Sequence, residues 1–297
     1  MTFDPLITTA LFYLIFLSQI YLLSLHYPRI MLRRLTYVLK NFPANDYPKL
    51  YPASYTFDTE RKARQGMRLF RGMNIVIALI GLGLILTALM TGYRPQGHGE
   101  EALVAAFFVL QAVPHVLTEL TTFKHYKLMR QCNNSSRRTA SLTRRHLFDF
   151  ISPVPVILAV ALIIIWLVYF LTDAGLTVPL KRNVYVMLLA VSMANFVFVA
   201  MIVQHLRGRK LDPHLAHKDK LKQTELVIRS AVIGSIALSS FLIIDQTVQQ
   251  YALDYLQPAI ISLYFQAIII FGPGAMLRGY RPEEIDFSVY KKDARSL

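Results

Sequence analysis

The sequence predicts an all-α, polytopic membrane protein: a seven-transmembrane-helix bundle with its N-terminus outside and its C-terminus in the cytoplasm. Three observations predict it. The 297-residue chain is 54% apolar and only 17% charged, whereas a soluble chain of this length carries more charge. A span needs about 20 mostly apolar residues, and seven stretches supply them: 5–26, 72–93, 101–123, 150–172, 184–206, 228–248 and 253–275. When the intervening segments are assigned to alternate sides, all but three of the 32 Lys and Arg residues fall on one side. The three exceptions are Arg94, Lys181 and Arg182. Such an excess marks the cytoplasmic side. Residues 1–275 then make a single membrane domain with a long basic cytoplasmic loop at 27–71, and 276–297 make a cytoplasmic tail.

The first span follows one charged side chain, Asp4, and precedes Arg29, Arg33 and Arg34. That order predicts an uncleaved anchor helix and not a signal peptide. After it, apolar residues at 31, 35, 38 and 42 alternate with Arg33, Arg34 and Lys40. Two readings fit: a basic amphipathic helix lying at the headgroups, or a continuation of the first helix beyond the membrane. In the first, Arg29, Arg33, Arg34 and Lys40 are candidate contacts to anionic lipid. Pro43, Pro48 and Pro52 exclude a helix next, and Tyr47, Tyr51 and Tyr55 are expected to seal this loop against the membrane-proximal surface. Asp58 is placed to cap a helix entering the second span.

Small residues predict close helix approach at Ala78, Gly81 and Gly83 of the second span and at Ala231, Ser235 and Ser239 of the sixth. Pro153 and Pro155 open the fourth span, where proline is tolerated. Phe271-Gly272-Pro273-Gly274 ends the seventh span or forms a hinge in it. Asp149 is expected to pair with neighbouring cations, and Asp245 and Gln246 to be solvated at the outer face. Asn133 to Ser136 and Arg137 to Ser141 resemble modification sites of a kind common by chance in polar loops.

Polar residues at membrane depth are costly and are functional candidates by default. Gln111, His115 and Glu119 lie along the inner half of the third span, with Pro114 freeing a backbone carbonyl one turn earlier. His115 and Glu119, four apart, share a face. Gln19, Asn195 and Gln266 sit at comparable depths in the first, fifth and seventh spans. If these faces converge, they form a polar centre that passes a proton, an ion or a small solute. The competing reading is interhelical hydrogen bonding that fixes packing. His214 and His217, three apart, are weak metal candidates in a loop whose lysines oppose a cation.

Several classes are excluded or demoted. No span carries a central lysine, which removes a retinal protein. A net charge of +14 beside membrane spans attracts anionic lipid and does not argue for nucleic acid. One cysteine, Cys132, forbids an intrachain disulfide. No motif calls for a cofactor. Ion or small-solute transport through the polar centre ranks first, within one chain or between copies in a homo-oligomer. A non-catalytic scaffold or sensor, binding anionic lipid or partner proteins by its basic cytoplasmic face, ranks next. An intramembrane lipid-modifying enzyme ranks third, for want of a nucleophile–base or metal motif. The bare outer loops suit a multi-pass protein of the cytoplasmic (inner) membrane.

Overall fold

The structure is a computed structural model that describes residues 4–51, 59–96, 99–132, 145–175, 181–207 and 212–291. The expectations for Asp58, Tyr55 and the Asn133–Ser141 stretch lie outside the described residues. Among those residues all regular structure is helical. The order is α1 (Pro5–Gln19), a π-helical segment (Ile20–His26), α2 (Tyr27–Asn41), α3 (Thr59–Met90), α4 (Glu100–Gln131), α5 (Pro153–Asp173), α6 (Arg182–Leu206), α7 (His217–Gln250), α8 (Gln257–Phe271) and α9 (Pro273–Gly279). Seven helical stretches are long and apolar enough to cross a membrane, so the chain is a multi-pass membrane protein.

Its outer surface agrees. Ile157, Ile164 and Ile165 on α5, and Val186, Leu189 and Phe196 on α6, are all exposed. A water-soluble surface rarely carries so continuous an apolar face, whereas lipid tails cover one without cost.

α1, the π segment and α2 are one continuous rod, Pro5–Asn41. The basic residues after the first span therefore continue that helix. Pro28 explains the widened turn inside the rod. It has no N–H to offer the carbonyls of Leu23 and Ser24, and its ring crowds the carbonyl four residues back. The helix relaxes into π geometry just before it, where the Tyr27 N–H bonds the Leu22 carbonyl.

α7 is the central post. It packs against α5, α6, α8 and α9, while α8 packs against α1 and α4, and the π segment against α3. The small residues expected to allow this, Ala231, Ser235 and Ser239, are buried. Trp166, Val191 and Leu242 fill the space between α5, α6 and α7. Phe12, Phe16, Ile20, Ile77, Ala78, Val104 and Phe107 fill that between α1, the π segment, α3 and α4.

α3, α4 and α7 run on past their apolar portions at the end of the bundle where the basic residues gather. There the chain after α9 folds back beneath the helices. Phe287 and Tyr290 bury with Met129 against Val38, Phe42, Tyr47 and Leu50. Tyr51 is buried, and its hydroxyl donates to the Phe42 carbonyl at 2.8 Å. The two described tyrosines of this loop, Tyr47 and Tyr51, thus hold it to the folded-back tail and to the end of α2. The Phe271–Gly274 stretch is a sharp break between α8 and α9, closed by Arg278, which donates to the Ile270 carbonyl at 2.8 Å and to the Tyr27 hydroxyl at 3.2 Å.

Candidate functional site

Three of the predicted polar residues meet in one place. The Gln19 side-chain amide donates to Gln111 Oε1 at 2.9 Å. The Gln111 amide donates to the Ser24 hydroxyl at 2.9 Å. The Ser262 hydroxyl donates to Gln19 Oε1, and the Gln266 amide donates to the Ile15 carbonyl at 3.0 Å and reaches Ser262 Oγ at 3.5 Å. Ser18 donates to Gln266 Oε1 at 2.9 Å. A single chain of side-chain hydrogen bonds therefore links α1, the π segment, α4 and α8. Gln19 and Ser262 are completely buried, and Gln111 and Ser24 nearly so. No charged group belongs to the chain, and its amides have partners at both ends, which suits a low-dielectric interior.

The sequence points to Gln19, Gln111 and Gln266 but not to Ser18, Ser24 or Ser262. A usable signal exists for one of these: Ser262 and Gln266 are four apart and share a helix face. Nothing in the sequence marks Ser24, which faces Gln111 because of where the π segment turns it.

His115 and Glu119 do not join this chain. His115 is half-buried and stands edge-on to Phe70 of α3, ring centroids 5.4 Å apart. Its imidazole also approaches the backbone of Leu23, one of the two residues whose carbonyl Pro28 leaves without an N–H. Glu119 is exposed on the outer face of α4 and has no hydrogen-bond or ion-pair partner among the described residues. We expect Glu119→Gln to leave thermal stability in detergent within about 0.5 kcal/mol of the parent, as for a surface substitution. A loss of more than about 1 kcal/mol would reveal a contact that this arrangement lacks.

Asn195 belongs to a different contact. It accepts from Ser235 at 2.7 Å and ties α6 to α7, while its own amide donates to the Val191 carbonyl. At the opposite end of the bundle, Asp245 accepts from Gln249 and Gln257, and Gln246 is buried with its amide on the Tyr169 carbonyl. These two are packed where solvated ends were expected. Asp149 accepts from the His146 N–H at 2.7 Å and caps a turn.

At the basic end, Arg29, Arg33 and Lys40 are exposed. Arg34 is turned inward, in the electrostatic field of Glu283, Tyr280 and Arg281. The loop before α7 and the first turns of α7 are pinned to the tail. Tyr290 donates to Asp212, the buried Asp219 accepts from the Asp286 N–H at 3.0 Å, and Lys222 pairs with Glu284. Burial first, and then the adjacent Asp212 carboxylate, hold the Tyr290 hydroxyl far above its ordinary pKa, so it remains a donor. His214 lies edge-on to Tyr290 at 6.1 Å and His217 is exposed at the start of α7. Among the described residues no three His, Cys, Asp or Glu side chains converge as metal ligands.

Beside the π segment, a cavity of about 330 Å³ opens between it, α2 and α3. Ser24, Leu25, Pro28, Arg29, Leu32, Arg71, Asn74 and Ile75 line it.

Compared with models of protein families, with curated proteins and with solved structures, the chain matches none of them.

Proposed function

We propose that this protein is a membrane scaffold or sensor. Its working surface is the basic end of the bundle, which we place on the cytoplasmic side of the inner membrane in contact with anionic lipid. One observation carries the reading. The polar side chains that α1, the π segment, α4 and α8 turn toward one another are joined from Ser18 to Ser24, and no ionisable group is among them. A conduit needs polar groups that exchange partners with a passing ion or solute, and this chain of bonds already has its partners. The ionisable side chains gather instead at the basic end, where the folded-back tail, the 42–51 loop and the start of α7 form an ordered platform.

A second reading has its own support. The π segment lies within a span, and π turns often occur at functional sites. His115, set against it, would be the proton-carrying group of an ion or small-solute pathway.

Thiol labelling separates the two. Starting from Cys132→Ser, single cysteines at 115, 195 and 266 are exposed to a membrane-impermeant reagent in intact cells and in inverted vesicles. The scaffold reading expects positions 195 and 266 to stay unlabelled from both sides, and 115 as well. Labelling of 115 together with 266 from one side would establish a water-filled cavity and favour passage.

A further inference from the structure

We propose that the cavity beside the π segment binds a lipid phosphate monoester, with phosphatidic acid as its simplest form. The proposal rests on the reading of the basic end as a lipid-contacting face, and it names the lipid chemistry and the residues. Three features of the cavity point the same way. Arg29 of α2 and Arg71 of α3 line it from opposite walls, both exposed, and neither has a hydrogen-bond or ion-pair partner among the described residues. Two guanidinium groups free to converge on one point suit a phosphate, because each offers N–H pairs in a planar fork.

Asn74 lies one turn deeper on α3, about 4.5 Å nearer the membrane centre than Arg71. It is only 2% exposed. Its amide donates to the Phe70 carbonyl at 2.7 Å, which fixes the orientation of the side chain, and its Oδ1 is buried with no partner. An acceptor left unpaired in such a place is unfavourable, and a donor arriving with a ligand removes that cost. A phosphate monoester carrying one proton has such a donor. Two of its oxygens accept from Arg29 and Arg71, and its P–OH donates to Asn74 Oδ1. A diester headgroup, as in phosphatidylglycerol or phosphatidylcholine, has no P–OH.

The third feature selects a lipid over a soluble phosphate. Leu25, Leu32 and Ile75 make the remaining wall apolar. From Ile75 an exposed stripe continues through Leu79, Leu82 and Leu86 along one face of α3. An acyl chain attached to a phosphate held at Arg71 would lie along that stripe.

The test uses the full chain in detergent at about pH 5, where most of a phosphate monoester keeps one proton because its second pKa is about 6. Native mass spectrometry measures retention of phosphatidic acid, phosphatidylglycerol and phosphatidylcholine. The expected result is phosphatidic acid held at least about tenfold more tightly than phosphatidylglycerol, a difference of one decade in Kd. Arg29→Ala and Arg71→Ala should each weaken phosphatidic acid by about tenfold or more. Asn74→Leu should bring phosphatidic acid down to the level of phosphatidylglycerol and leave the latter unchanged. If that variant does not fold, Asn74→Ala makes the same comparison. Arg68→Ala, exposed and outside the cavity, should change the anionic lipids equally and little.

Equal binding of phosphatidic acid and phosphatidylglycerol, or an Arg68→Ala effect as large as that of Arg71→Ala, would overturn the site and leave diffuse attraction to anionic lipid. Displacement of phosphatidic acid by equimolar inorganic phosphate would overturn the choice of a lipid. If neither anionic lipid binds better than phosphatidylcholine, the reading of the basic end fails together with the site.

Discussion

Gln19→Leu is expected to be among the most destabilising single substitutions in the bundle centre, at about 2–3 kcal/mol. Leucine fills a similar volume, so the loss is almost purely one of hydrogen bonding. The change removes the donor to Gln111 Oε1 and the acceptor for Ser262. Interhelical hydrogen bonds in membranes contribute about 0.6 kcal/mol on average and up to about 1.7. Two such bonds lost together, with the cost of leaving their buried partners unpaired, add up to about 2–3 kcal/mol. The sharper measurement is a double-mutant cycle read by unfolding in detergent. Gln111→Leu alone strips Ser24 of its donor and Gln19 of its acceptor. The double variant should cost less than the sum of the two singles by at least about 0.5 kcal/mol, since it removes both halves of one bond. Strict additivity would mean that the two glutamines do not act on each other, and the closed-network argument for the scaffold reading would lose its basis.

The second large effect distinguishes two glycines that lie two residues apart. Gly81→Leu should destabilise by about 3 kcal/mol or more, whereas Gly83→Leu should stay within about 0.5 kcal/mol. At Gly81 a Cβ would stand 2.6 Å from Phe107 Cζ and 2.8 Å from Ile20 Cδ1, and both of those side chains are themselves buried. They have nowhere to retreat, so α3 would have to move off the π segment and α4. At Gly83 nothing lies within 4 Å. A leucine there faces open space, and it also has the better helix propensity. Thermal unfolding of the two variants side by side reads the difference directly. Similar losses at both positions would place the α3 contact face elsewhere.

These two cases show where the sequence is legible. Small-residue spacing marks Gly81 and Gly83 on α3 and, because they are two apart, puts them on nearly opposite sides of the helix, but it does not say which side meets a neighbour, because the partner helix and its crossing point lie far away in the chain. Likewise the glutamines declare themselves by being polar at membrane depth. Their mutual distances depend on how α1, α4 and α8 are brought together, which no local pattern encodes. His115 and Glu119 illustrate the opposite error. Four residues apart, they share a helical face in principle, yet one leans on Leu23 and Phe70 while the other points outward, exposed. An i,i+4 relation constrains azimuth along one helix and says nothing about what lies opposite. Asn74 and Arg71 were visible only as ordinary residues near the mouth of a span. They became a candidate site because Pro28 widens the neighbouring helix and leaves a cavity beside them.

By itself the sequence determined the class of solvent, the number of membrane-crossing helices and the approximate place where each lies. Those follow from the length of the apolar stretches, since a bilayer demands a minimum run and forbids unpaired backbone within it. Only the tertiary structure decided that the first helix runs unbroken to Asn41, that the buried glutamines satisfy one another, and that the tail folds back beneath the bundle. Each of these depends on side chains distant in the chain meeting at a particular depth and azimuth. The apolar pattern leaves that choice open, because lipid and a neighbouring helix are almost equally apolar surroundings.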